Sequence, residues 1–143
     1  MTVRVERTFE FDAPREDVWA FIADPEKRAR PISVVDEFEV TGERTARWHV
    51  RLPIPLINRT IAVETEDEEV DPPEFVRFVG RSKVFRVVGE HELTELEDGR
   101  TSLRNRFTVD GRVPGVERFF EKNLDEELGN LEEAIAVDLG IEA

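Results

Sequence analysis

The stretch FEFDAPREDVWAFIADP at 9–25 constrains the fold more than any other part of this chain. Alternating apolar residues run straight into Asp12-Ala13-Pro14. A proline in the first helical turn has its φ preset and needs no donor, so the tripeptide reads as a helix start. Val18, Trp19, Phe21 and Ile22 follow, and Asp24-Pro25 ends the helix because the residue before a proline is pushed out of helical conformation. From there the chain reads as strand after strand, closed by a single C-terminal helix. That order suggests a curved sheet gripping a helix, with a cavity between them.

The strand assignments rest on period-two alternation. The first strand, about 2–12, puts Val3, Val5, Phe9 and Phe11 on one face and Arg4, Glu6, Thr8 and Glu10 on the other. A helix over about 14–23 and a helical turn near 25–30 follow. The second strand (33–41) presents Val34, Phe38 and Val40. The third (44–52) turns Ala46, Trp48, Val50 and Leu52 inward, and Arg47, His49 and Arg51 outward. LPIPLIN at 52–58 reads as a loop or sheet edge, since prolines two apart do not fit a central strand. The remaining strands fall at about 58–69, 74–80, 83–96 and 100–111, with Ile57, Ile61 and Val63 sharing a face at the start of the first of these. Val87-Val88-Gly89 marks a bend. From 115 to 139 Val116, Phe120, Leu124, Leu128, Leu131 and Ile135 form a helical stripe.

The Glu97-Asp98-Gly99 hairpin tests register. A two-residue loop would pair Leu93 with Arg104 and mix the faces. A three-residue loop with Gly99 left-handed pairs Leu93 with Leu103, His91 with Asn105 and Val87 with Val109, which keeps one face apolar. This register is preferred, and it sets His91 and Asn105 opposite each other among inward apolar side chains.

Composition bounds the rest. The 143 residues suit one domain, 1–143, with one core. No run approaches the ~20 apolar residues of a membrane span, and the N-terminus lacks the apolar region of a signal peptide. There is no cysteine, so no disulfide or thiol chemistry. A cytoplasmic location is expected. The net charge is −13, from 33 acidic and 20 basic residues, and only Lys27, Lys83 and Lys122 are lysines. Hot environments enrich lysine along with glutamate, so this balance reads as adaptation to a salty, haloarchaeal cytoplasm, with an ordinary acidic protein as the alternative. Adaptation to brine predicts a melting temperature that rises between about 0.1 and 2 M KCl, as the Debye length falls from ~10 Å to below ~3 Å; a flat response would leave only an acidic protein. The same charge disfavours nucleic acid and anionic membranes as partners.

The order strand, two short helices, six strands, long helix resembles the helix-grip fold of the START-like (SRPBCC) superfamily. The resemblance is carried by FEFDAPREDVWAFIADPEK, VDPPEFVRFVG, LTELEDGRTSLRNRFTVDG and the helix from 115, and it spans essentially the whole chain. The chain looks most similar to the polyketide cyclase/dehydrase-like branch and to the carbon monoxide dehydrogenase-associated branch. The resemblance implies an α+β domain, a seven-stranded curved antiparallel sheet wrapped around a long C-terminal helix, with an apolar-ligand cavity and no particular reaction.

Candidate ligand-binding residues follow from the inward faces: Phe38, Trp48, Phe78, Phe85 and Phe107 from the sheet, and Phe119, Phe120 and Asn123 from the helix. Each ring alone reads as ordinary core; as a set they favour a pocket. His91 and Asn105 are the candidate polar pair, able to orient or protonate a carbonyl, or simply a hydrogen-bonded core pair. His49 is placed outside, no carboxylate stands at ligand spacing to either histidine, and no metal or other cofactor is expected. The acidic run 64–71 reads as a solvated strand end and turn. The apolar loop Pro53–Ile57 reads either as a gate or docking surface for a protein partner, or as a packed connection. Three functions stay open: a carrier of a lipid, isoprenoid quinone or polyketide-like molecule, a cyclase/dehydrase-type enzyme acting through His91 and Asn105, and an accessory protein docking through the loop.

Overall fold

The computed structural model describes residues 2–54 and 60–141. Ten elements follow in chain order: β1 (Thr2–Phe11), α1 (Arg15–Ile22), α2 (Pro25–Ala29), β2 (Val35–Val40), β3 (Thr45–Val50), β4 (Ile61–Asp71), β5 (Phe75–Arg81), β6 (Phe85–Glu95), β7 (Thr101–Gly111) and α3 (Val116–Leu139). The strands form one antiparallel sheet in the order β1-β7-β6-β5-β4-β3-β2. This is the helix-grip architecture expected from the element order. Among the described residues no helix is long and apolar enough to cross a membrane.

The prolines and aspartates act locally as expected, with one shift. Pro14 is the N-cap of α1 rather than its first helical residue, with ψ near 151°. Asp24 does more than end α1. Its carboxylate accepts hydrogen bonds from the amides of Glu26 and Lys27 and so caps α2, with Pro25 in the first turn. This capped turn directs Arg28 and Ala29 toward the sheet, and both are buried.

The last hairpin has the three-residue register. Leu93 pairs with Leu103, His91 with Asn105 and Val87 with Val109, and Gly99 has φ of 83°, a conformation that side-chain-bearing residues avoid. β2 departs from expectation. A register shift between Val35 and Glu37 changes the phase of this edge strand, and Val40 is exposed rather than inward. On the convex face, arginines pair with carboxylates across strands, as in Arg47 with Glu39 and Glu64 and Arg104 with Glu6. The Arg104 hydrogen bond holds Glu6 below its usual pKa. Pairs this exposed add little stability each.

The interior divides in two. Under α1, Phe9, Phe11, Val18, Phe21, Ile22, Leu93, Leu103, Leu128, Leu131 and Ile135 close-pack into a solid core. The other half gathers Trp48, Val50, Leu52, Ile54, Val63, Phe78, Phe85, Val87 and Val109. The backbone of α3 approaches β1 and β7 at one side of the sheet, together with α1. The strands beyond them curve around the helix, and volume opens between.

Candidate functional site: a cavity under the long helix

That volume is a partly open cavity of about 80 Å³, as measured by where the centre of a water-sized sphere can lie. One water needs roughly 10–15 Å³ by such a measure, so the space exceeds a buried-water site several-fold. Three walls enclose it. The sheet contributes Trp48 and Val50 from β3, Thr65 and Asp67 from β4, Phe78 from β5, Phe85, Val87 and His91 from β6, and Phe107 and Val109 from β7. α3 contributes Phe119, Phe120, Asn123, Leu124, Glu127, Leu128 and Leu131. The third wall is the segment from α2 into β2, with Pro25, Arg28, Pro31, Ile32, Val34 and Val35. Its Ser33 is tied across to α3, where Glu127 accepts from both the Ser33 amide and its hydroxyl.

Of the residues expected at a pocket, Trp48, Phe78, Phe85, His91, Phe107, Phe119, Phe120 and Asn123 line it. Two do not. Phe38, opposite Trp48 on the edge strand, packs against the core cluster from outside the cavity wall. Asn105 is fully buried behind His91, with its amide engaged by protein partners. Asn123 reaches the wall, but its Nδ2 donates to the Phe119 carbonyl of its own helix at 2.8 Å. His49 is half-buried on the other face, 3.7 Å from Glu39. In the 53–57 loop, Pro53 is exposed and Ile54 is core, beside Leu52; Pro55, Leu56 and Ile57 lie outside the described residues.

The aromatic wall depends on one missing side chain. Gly89 sits between Phe78 on β5 and Phe107 on β7 in the sheet register. A Cβ there would stand 2.2 Å from Phe78 Cε1 and 3.0 Å from Phe107 Cε1. Gly89→Val is therefore expected to drive these rings into the cavity, at about 1–3 kcal/mol of stability. Urea unfolding checks the cost and a ligand titration checks the closure. Unchanged binding would show that the rings do not set the width of the cavity.

The polar end comes from residues that sequence reasoning passed over. Arg28 and Asp67 face each other across the interior, with 8% and 12% of their side chains exposed. Arg28 Nη2 donates to both Asp67 oxygens, at 2.8 and 2.9 Å. The guanidinium lies over the Phe78 ring, 5.4 Å from its centroid. Arg28 Nη1 is buried and has no hydrogen-bond partner. Asp67 corrects the reading of 64–71 as wholly solvated. Val63, Thr65 and Asp67 continue the inward phase of β4, and only after the register shift between Asp67 and Glu69 does the strand turn its acids outward. Strict alternation carried past Val63 would have found Asp67. The turn PEKRA carries no comparable signal for Arg28.

His91 is 1% exposed and stacks nearly parallel to Phe78 at 6.2 Å. Asn105 Nδ2 donates to the Arg7 carbonyl at 3.2 Å, so its Oδ1 is the atom that faces the imidazole. The 2.7 Å contact then requires the proton on His91 Nδ1 and leaves Nε2 a bare acceptor. Burial pushes the His91 pKa down to about 3; the Arg28 charge adds to this and the Asn105 bond opposes it. At neutral pH the ring accepts hydrogen bonds through Nε2. It is not an imidazolium with an acidic proton to donate.

Solved structures share this arrangement. A conserved protein from Geobacillus kaustophilus superposes with a TM-score of 0.79 at 16% identity, covering 96% of this chain and 95% of its own. The Zhui aromatase/cyclase from Streptomyces sp. R1128 gives 0.77 at 17% identity, covering 96% and 93%. A START superfamily protein from Mycobacterium smegmatis gives 0.73 at 15% identity, covering 92% and 93%. At these identities the likeness speaks for the fold. No curated protein matches the sequence. The family model described as polyketide cyclase / dehydrase and lipid transport matches residues 2–136. With nearly its whole length matched, and with the helix-grip sheet and cavity in place, the chain belongs to the polyketide cyclase/dehydrase and lipid transport family, within the START-like superfamily.

Proposed function

We propose that this protein binds and carries an apolar small molecule in the cavity under α3. The observation that carries the reading is the lining, which is almost wholly apolar and has one compact polar end. Apolar surface taken out of water contributes about 25 cal/mol per Å², so a ring system or chain seated among Trp48, Phe78, Phe85 and Phe107 gains most of its affinity without specific bonds. The family description, spanning lipid transport and cyclisation, supports a hydrophobic ligand of this kind.

Cyclase/dehydrase-type catalysis is the second reading. It is favoured by the presence of Arg28 and His91 on the cavity wall and by the likeness to an aromatase/cyclase. The state of His91 weighs against it: a neutral imidazole with pKa near 3 is a weak base and has no acidic proton to give at neutral pH. Carriage is the better-supported function.

The test is a titration with N-phenyl-1-naphthylamine, an uncharged apolar fluorophore. Trp48 lies on the wall, so its emission should be quenched as the fluorophore brightens, with saturation at one equivalent. Gly89→Val should lose the signal. Absence of saturable binding to the wild-type protein would overturn the carrier reading. Where binding is found, native mass spectrometry of protein purified from its own host would identify the natural occupant.

A further inference from the structure

The Arg28–Asp67 pair makes a specific prediction about the occupant. A buried N–H without an acceptor costs on the order of 1–3 kcal/mol, and Arg28 Nη1 is such a group on the wall of an otherwise apolar cavity. Its partner nitrogen is committed to Asp67. The unmet donor therefore lies at the polar end, beside the face of Phe78 and near His91.

The charge count decides what kind of oxygen belongs there. Arg28 is already matched by Asp67, and the remaining charged group on the wall is Glu127, engaged by Ser33. The cavity thus holds two carboxylates against one guanidinium. An incoming carboxylate or phosphate would have to lose its hydration with no net positive charge to receive it. An uncharged oxygen acceptor avoids that penalty and still satisfies Nη1.

We propose that Arg28, held by Asp67, is the headgroup subsite of this cavity, and that it receives the uncharged carbonyl oxygen of an apolar ligand, such as a ketone, quinone or ester, in preference to an acid. The proposal rests on the carrier reading above and adds the chemistry of the occupant's polar end. Arg28 supplies the donor, Asp67 fixes the guanidinium and cancels its charge, and the aromatic wall holds the rest of the molecule. A quinone and a ketone share this chemistry, and the subsite does not separate them.

Three probes of similar size test it: tetralin, 1-tetralone and 1-naphthoate, each measured by displacement of N-phenyl-1-naphthylamine. The comparison is between wild type and Arg28→Leu/Asp67→Leu, which removes both charges together, with circular dichroism and urea unfolding confirming that the variant folds. A hydrogen bond from a charged donor leads to an expected loss of about tenfold or more for 1-tetralone in the double variant. Tetralin, which has no oxygen, should change by a much smaller factor or bind more tightly, and 1-naphthoate should be the weakest ligand of wild type. Equal losses for tetralone and tetralin would overturn the subsite while leaving the carrier reading standing. A wild-type preference for 1-naphthoate would overturn the uncharged headgroup. Failure of all three probes and of the fluorophore to bind wild type would remove the carrier reading, and the subsite with it.

Discussion

Replacing Arg28 alone by leucine is expected to cost about 3–5 kcal/mol, because it strands the Asp67 carboxylate inside the protein. The reverse change, Asp67→Leu, should cost a similar amount by stranding the guanidinium. Against a total stability that is about 5–15 kcal/mol for domains of ordinary size, either loss is severe. The double replacement should lie within about 1 kcal/mol of wild type, since two leucines restore an apolar interior and no charge is left unpaired. Urea midpoints for the two single variants and the double variant, measured at one pH, decide this. The pair is mostly buried, with 8% and 12% of the side chains exposed, so solvent screening does not rescue the single variants. If each single change cost no more than the double, the interior would have to admit enough water to solvate a lone charge, and the cavity would be wetter than its lining suggests.

Acid should weaken the wild-type protein through His91. In the unfolded chain its pKa is near the ordinary 6.5; in the native state burial lowers it to about 3. Above pH 6.5 both states are neutral at this residue and the contribution is complete. As the pH falls below 6.5, the unfolded chain takes up a proton that the native protein refuses, so stability declines by up to about 1.4 kcal/mol per pH unit. Across the window down to about pH 3 the loss reaches roughly 4–5 kcal/mol. His91→Gln keeps a polar side chain opposite Asn105 but does not titrate. It should therefore flatten the part of the pH–stability curve between 6.5 and 4 relative to wild type. Carboxylates titrate in both proteins, and the difference between the two curves isolates the imidazole. Parallel curves would mean that His91 meets water in the native state, and the Asn105-fixed tautomer would not stand.

The register of the β6–β7 hairpin is legible in the residues because one alternative mixes Leu93 with Arg104 and the other does not. Period-two reading is powerful where a strand has one wet and one dry face, since a slip of one residue inverts every side chain. The same logic places Trp48, Phe78, Phe85 and Phe107 inward, and all four line the cavity. It fails at Phe38 and Val40, where the register shift in an edge strand changes the phase. In β4 the density of acids suggests solvent and hides Asp67, which keeps the inward phase. Asn105 is inward and opposite His91 as expected, but inward is not the same as lining. Its position behind the imidazole depends on how far the Arg7 carbonyl of β1 stands from β7.

Which segments are strands, which are helices, and which of their faces are dry can be read from the residues alone. These are local properties, written in alternation, in Pro14 and Pro25, and in the glycine at 99. That the long helix must cover the sheet is equally local, because no other element carries so long an apolar stripe. The survival of a cavity, and the contents of its polar end, belong to the assembled fold. Arg28 sits in a five-residue helix and Asp67 in an acidic strand, 39 positions apart, and neither segment carries a mark of the other. They meet because Asp24 caps and aims the short helix while the sheet curls around α3, and because Gly89 leaves room for the Phe78 ring on which the guanidinium rests. Curvature and helix seating are sums over many weak contacts, so the charge pair that defines the site emerges only when the whole sheet is folded.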